Sequence, residues 1–315
     1  MTRRAVLQAA GVVGMTAGWV SARAARGEAA DPPSTWKAFD GHSGKEFPTS
    51  ELPLRVATAP VIFLGEQHDD PQTHLAEAWL LEAVHQRVGD KLALAMEMFE
   101  RDQQEALNQY LAGKLDAEKL KKAIKVWNNY ETDYRPMVDY AKAKGIPVVA
   151  SNAPLRIVRT VSGNGLPALK NLPATDKPLF AEYVTAPEGD AYFTRFAEVM
   201  GQGGHGDRKM DGAMIRRFYE AQCLRDDTMA ESIVRTLNEK PTVLHVNGTF
   251  HSDAGLGTAA RVLWRKPLTV RMATVKIIPF KGESNPAPYQ GEGDYLLFVP
   301  DQRPARPAPS ENTAK

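Results

Sequence analysis

The sequence predicts an α/β protein: a mainly parallel sheet flanked by helices, with a smaller helical subdomain or insertion. Two observations carry this. Short apolar runs such as "VIFLG" (Val61–Gly65) and "TVLHVNG" (Thr242–Gly248) are continuous rather than alternating, as strands buried on both faces require. Helical stretches lie between most of these runs, as in chains that cross back to lay each strand parallel to its neighbour. The 315 residues are 43% hydrophobic and 24% charged, which supports an ordinary globular core.

In chain order, "GEAADPPSTWKAFDGHSGKEFPTSELP" is rich in Gly, Pro and Ser and reads as a lead-in over residues 25–55, with room for one short strand near Trp36. The main α/β domain is expected over residues 56–300. Its first strand is Val61–Gly65. A helix follows over Pro71–Val88, with Asp70 as N-cap, Pro71 at the first position and Leu75, Trp79, Leu80 and Val84 able to face a core. "LALAMEMF" (Leu92–Phe99) is a second strand. Residues 101–145 form a largely helical insertion, broken near Gly113-Lys114 and Asn128-Asn129. "IPVVASN" (Ile146–Asn152) is a third strand. Between 162 and 212 the pattern dissolves into Gly, Pro and charge, notably "GQGGHGDRKMDG", and reads as a second helical insertion, mobile or acting as a lid. A long helix, Gly212–Asn238, leads into the strand Thr242–Gly248, and Leu268–Phe280 and Tyr295–Val299 add strands. The tail 301–315 reads as disordered.

In such a sheet the ligand crevice lies beyond the carboxyl ends of the strands. The residues delivered there include Glu66 and His68, Glu97, Asn152, and Asn247 to His251. "FLGEQH" and "HVNGTFH" share the pattern strand–Gly–x–x–His, the glycine allowing a sharp turn that points the histidine back across the crevice. Glu66, His68, Glu97 and His251 are the right ligand types for a divalent metal with a position left for water. Without metal, Glu66, His68 and His251 suit general-base catalysis on water. Each histidine taken singly also fits a helix-capping or carboxylate-pairing role. Asp69 and Asp70 read as helix-start acids. His74 faces either the crevice or solvent, while His85 and His42 belong to the surface and a loop. On the helix "AMIRRFYEAQCLRDDTMAESIV", Tyr219, Gln222 and Asp226 fall on one face, next to the apolar Phe218, Met229 and Ile233. His205, with glycine before and after it, is either a solvated loop histidine or one able to swing onto a ligand. Cys223 reads as a buried small hydrophobe.

Lys plus Arg total 39 against 38 for Asp plus Glu, so no field draws in nucleic acid, and no basic run is interleaved with aromatics. The N-terminus carries Arg3-Arg4, an apolar stretch to about Val20 and the small-residue order Ala22-Arg23-Ala24. This is the pattern of a twin-arginine-type export signal over residues 1–24, giving a periplasmic or otherwise exported protein. No later segment is apolar and long enough to span a membrane. The single cysteine, Cys223, excludes an intramolecular disulfide.

Five segments taken in order bring a family into view: "GEQHDDPQTH", "LALAMEMFERDQQEALNQYLAG", "YRPMVDYAKAKGIPVVASNAP", "YEAQCLRDDTMAESI" and "VNGTFHSDAGLGTAARV". The chain resembles the ChaN-like haem-binding proteins, within the wider group of Tiki proteases and erythromycin esterases. The resemblance implies a parallel α/β domain with a helical part, haem held at or near a homodimer interface, and a role in haem or iron uptake. It also implies a tyrosinate iron ligand, a hard donor suited to ferric iron; Tyr110, Tyr130, Tyr134, Tyr140 and Tyr219 lie in helical regions, and Tyr134 sits in the recognisable "YRPM" segment. His74, His205, Gln222 and Asp226 join Tyr134 as cofactor-binding expectations. The family's lipoprotein members carry a lipobox cysteine, which is missing here, so the protein is expected not to be lipid-anchored. The wider group offers the alternative of ester or amide hydrolysis by Glu66, His68 and His251, with a divalent metal in place of haem.

Overall fold

The computed structural model describes residues 30–202, 211–266 and 270–303. Eight strands form one sheet: β1 (Lys37–Asp40), β2 (Glu46–Phe47), β3 (Val61–Glu66), β4 (Leu92–Glu100), β5 (Val148–Asn152), β6 (Thr242–Gly248), β7 (Met272–Phe280) and β8 (Tyr295–Pro300), in the order β2-β1-β8-β7-β3-β6-β4-β5. From β8 to β5 every pairing is parallel; only β1 runs antiparallel, to β8 and to β2. All residues of the central β3 and β6 are buried, which is why those runs are continuous rather than alternating.

The helices are α1 (Leu52–Val56), α2 (Pro71–Val88), α3 (Gln104–Leu111), α4 (Ala117–Ala123), α5 (Arg135–Lys144), α6 (Leu155–Asn164), α7 (Ala191–Gln202), α8 (Gly212–Thr236) and α9 (Gly257–Arg265). The alternation of side chains along a strand divides the core in two. Ile62 and Leu64 of β3 pack with Leu80, Leu81 and Val84 of α2 and with Met137 and Val138 of α5. Val61 and Phe63 face the other way, onto Ala230 and Ile233 of α8 and Ala259 and Val262 of α9. The sheet is therefore covered on both faces, as expected.

Several local expectations hold for the reasons given. Asp70 accepts from the backbone N–H groups of Gln72 (2.8 Å) and Thr73 (3.2 Å), with Pro71 at the first helical position. Others require correction. Leu75 is exposed, and the buried face of α2 runs instead through His74, Glu77, Leu80 and Leu81. The short strand expected near Trp36 is present as β1, paired with β8; what the lead-in adds beyond that expectation is the entry of Trp36 and Leu52 into the core. The helical insertion expected over 162–212 does contain a helix, α7, but it is packed rather than loose, with Tyr192 and Phe196 against Tyr219 and Cys223 of α8. Residues 203–210, with His205, lie outside the described residues, as do residues 1–29, where an export signal is expected, 267–269, where the strand from Leu268 is expected to begin, and 304–315. Of the tail, Asp301 bonds back to Phe280, and the Gln302 N–H donates to Asp70.

Candidate functional site

A cleft of about 410 Å³ opens at the carboxyl ends of β3, β4 and β6, lined by Glu66, Gln67, His68, Glu97 and Gly248 to His251. Phe196, Val199 and Met200 of α7 and Gln222 and Arg225 of α8 complete the lining. The strand-end placement read from the sequence is thus the actual one, and the two Gly–x–x–His segments face a common space.

The two glycines are present for room rather than for a turn. Gly248 has an ordinary negative φ of −54°, but a Cβ there would lie 2.6 Å from His68 Nε2. A Cβ on Gly65 would lie 3.2 Å from Ser252 Oγ and from Thr249 Cα. Both positions let the second motif pack directly on the first.

Each histidine is held by a carboxylate. His68 Nδ1 pairs with Glu66 Oε1 in a very short contact, and its ring lies edge-on to Trp127 with centroids 4.9 Å apart. Burial disfavours charge on His68, but Glu66 and then Glu97 outweigh it and raise its pKa. The side chain is 42% exposed, so this imidazole is within a ligand's reach. His251 is buried, with Nδ1 2.6 Å from Asp226 Oδ1 and Nε2 3.3 Å from Glu97 Oε1. Burial opposes its charge as well, and Glu97 and Asp226 raise its pKa to about 10. Thr258 and Tyr192 donate hydroxyls to Asp226 at 2.8 and 2.7 Å, fixing the carboxylate that fixes the imidazole. The Gly248 N–H donates to Glu97 Oε2 at 2.7 Å. Burial pushes the Glu97 carboxyl up, but His251 and His68 more than reverse that and hold it below the usual range.

The four residues read as a metal set, Glu66, His68, Glu97 and His251, therefore meet at one cleft, but as ion pairs. Both nitrogens of His251 already face carboxylates. Among the described residues, the His/Cys/Asp/Glu donors that converge within 4.8 Å are those of Glu66, His74 and Glu77 instead. Asp226 and Gln222 do border the cleft histidine, as the polar stripe on α8 implied. His74 faces neither crevice nor solvent. It is buried behind Glu66, where its ring lies edge-on to Tyr134. His42 is exposed in a turn and His85 is half-buried, bonded to Tyr140.

Of the two roles open to Tyr134, iron ligand or a tyrosine bonded within the fold, the structure shows the second. Tyr134 is fully buried at the end of a π-helical turn, Tyr130–Tyr134, and its hydroxyl donates to Glu66 Oε1 at 2.8 Å. Burial, followed by the charges of Glu66 and Glu77, drives its pKa far upward, away from tyrosinate. Tyr219 donates to Asp190 and Tyr110 to Asp139, and among the described residues no tyrosine lines the cleft.

The apolar wall of α7 escaped sequence reading. Its signal was present, since Tyr192, Phe196, Val199 and Met200 recur at helical spacing, but the glycine-rich run beside it masked the period. His245 was also missed. It is buried between Ser151 Oγ and Asn247 Oδ1, and burial lowers its pKa to about 4, so it stays neutral beneath the charged site.

A parallel α/β sheet with carboxylate-anchored imidazoles at its strand ends, in a cleft that also takes in apolar side chains of α7, has the build of a small-molecule-binding protein of the open-sheet type. More particularly, the chain belongs to the family described as haem-binding uptake, Tiki superfamily, ChaN, whose model matches residues 53–262. ChaN of Campylobacter jejuni, solved with cofacial haem, has the same fold: TM-score 0.66 at 16% identity, covering 84% of this chain and 97% of that one. An erythromycin esterase in its open conformation gives a TM-score of only 0.44 at 12% identity, over 85% and 83% of the two chains. The Arabidopsis thaliana protein RETICULATA-RELATED 5, chloroplastic, is 24% identical over 230 residues, covering 68% of this chain. The match takes in 30% of that protein's length.

Proposed function

We propose that this protein binds haem in the cleft at the carboxyl ends of β3, β4 and β6, and that it serves haem or iron handling outside the cytoplasm. Family membership supports the ligand. The single observation that carries the site is an accessible imidazole, His68, lining the same cleft as the apolar side chains Phe196, Val199 and Met200. An apolar wall suits a porphyrin face, the Arg225 guanidinium suits a propionate, and an imidazole suits iron. His68 is the residue offered to iron, because Tyr134 is committed to Glu66 and His251 to Asp226 and Glu97. The Glu66 carboxylate on His68 Nδ1 orients the ring and raises its basicity. Haem held there would supply an iron centre for carriage or transfer. The twin-arginine pattern at Arg3-Arg4 supports export, and the exposed Val199 at the cleft rim supports a second copy closing over the ligand.

Haemin titrated into the haem-free protein should give a saturable Soret band. His68→Ala should move that band and weaken binding by about tenfold, roughly 1.4 kcal/mol. Tyr134→Phe should leave the band in place. The reading fails if wild type shows no more absorbance change than a non-binding control protein. A band moved by Tyr134→Phe and untouched by His68→Ala would return the ligand to tyrosine.

A further inference from the structure

Below the cleft floor lies a second cluster, which shares Glu66 with the haem cleft and adds His74 and Glu77, two residues the cleft does not use. Glu66, His74 and Glu77 are all buried, at 1%, 3% and 0% exposure, and they offer one donor atom each within 4.8 Å of one another. We propose that these three side chains bind a divalent transition-metal ion, a structural centre that fixes Glu66 and, through it, His68.

The geometry around His74 is that of a ligand. Its Nδ1 lies 3.0 Å from Glu66 Oε2 and 3.1 Å from Glu77 Oε2. One N–H cannot point along both directions at full strength, and once Glu77 takes the hydrogen bond, Glu66 Oε2 has none. A lone pair on Nδ1, by contrast, can face a cation that both carboxylates share. The other ring nitrogen supports this tautomer. Nε2 lies 3.3 Å from the His68 carbonyl oxygen and 3.5 Å from Asp133 Oδ2, so an Nε2–H donates outward and leaves Nδ1 free to coordinate, the usual second-shell arrangement of a metal-bound histidine. Donors about 2.0–2.2 Å from a tetrahedral ion stand roughly 3.3–3.6 Å apart; the two carboxylate–Nδ1 distances here are 3.0 and 3.1 Å, so a small outward shift of the carboxylates would admit the ion.

Two further observations point to a ligand. Glu77 Oε1 and Thr73 Oγ1, one turn apart on α2, are fully buried and have no hydrogen-bond partner. Buried polar atoms without partners are rare. The charges also balance with a dication: two carboxylates and a neutral imidazole then sum to zero, whereas a proton alone must be shared among three buried groups. One nitrogen and two carboxylate oxygens suit Zn²⁺ or Mn²⁺. The remaining oxygen of Glu66 is held by Tyr134 and His68, so the centre reaches the cleft only through that carboxylate.

This centre is independent of haem and is tested on haem-free protein. The full chain is produced with Zn²⁺ and Mn²⁺ supplied, then analysed for metal content, thermal unfolding and X-ray absorption. Wild type should carry about one ion per chain; a chelator should lower its melting temperature, and the same ion should restore it. The absorption spectrum should fit one imidazole with oxygen ligands. Glu77→Gln should lose the ion, whereas His68→Ala and His251→Ala should keep it. Should Glu77→Gln fail to fold, the wild-type spectrum still decides, because a cleft site built on His68 and His251 would show two imidazoles. Wild-type protein that retains no ion and melts identically with chelator and with either metal overturns the proposal. So does loss of the ion in His68→Ala or His251→Ala. A haemin titration that fails alongside a positive metal result would count against the haem reading alone.

Discussion

His251 illustrates how much of a residue's role depends on its neighbours. The sequence places it at a strand end, and that was legible from "HVNGTFH". Its partners Asp226, on α8, and Glu97, on β4, come from distant parts of the chain, and they determine its charge. With a folded pKa of about 10 against an ordinary 6.5, its contribution to stability is fully present below pH 6.5. That contribution is lost as pH rises from 6.5 to about 10. In urea denaturation, wild type should exceed His251→Gln in stability most at about pH 6, with the gap narrowing steadily towards pH 10. A gap that stayed constant over this range would show that His251 acts through packing and not through charge. Tyr134 makes the opposite point. Its place in a recognisable segment drew attention to it, but only the fold shows the hydroxyl spent on Glu66, since nothing local to "YETDYRPM" encodes a partner on β3.

Among the elements, the strands and the capped start of α2 were readable because their causes are local: continuous burial, an Asp N-cap and a proline at the first helical position. α7 was less so. Its aromatic and aliphatic residues repeat at helical spacing, but they border a glycine-rich run, and the apolar stripe becomes meaningful only once α8 is there to receive it. The strand-end glycines show a correct observation with a different cause. Each marks where β6 and its following turn press against β3 and His68, not a backbone conformation that glycine alone adopts. The two sites therefore predict different outcomes. Gly248→Ala would meet the movable end of the His68 ring, so it should weaken haemin binding by about tenfold, roughly 1.4 kcal/mol, with a smaller effect on unfolding. Gly65→Ala meets the Thr249 backbone and should cost about 1–3 kcal/mol of stability by overpacking. Haemin titration and urea unfolding of both variants would separate the effects; equal losses in both assays for both variants would refute this account.

For the whole molecule, the parallel sheet between two helical layers brings residues 66, 97, 222, 226 and 251 to one edge. Lys276 of β7 and Arg195 of α7 share Asp253 and Glu292 as partners, so the apolar wall of the cleft is tied to the sheet rather than hinged freely. Buried ion pairs of this kind fix geometry more than they add stability. The wall's outer residue, Val199, remains 52% exposed, and on the haem-binding reading a bound porphyrin would extend that apolar surface. Haemin-loaded protein should then sediment as a dimer and haem-free protein as a monomer, with Val199→Glu keeping the loaded protein monomeric. A loaded wild type that sediments as a monomer at micromolar concentration would remove the second copy from the proposal.

By itself the sequence determined the fold class, the strand-end location of the site and the identity of the histidines and carboxylates there. Burial on both faces and helix capping are written in neighbouring residues, and a parallel sheet necessarily gathers its carboxyl ends on one side. Tertiary structure alone decided which carboxylate holds which histidine. It also decided that His74 turns inward to Glu66 and Glu77, that Tyr134 is unavailable, and that α7 supplies the apolar wall. Those outcomes depend on contacts between residues far apart in the chain, where strand order and helix rotation set distances of a few ångströms that no local pattern records.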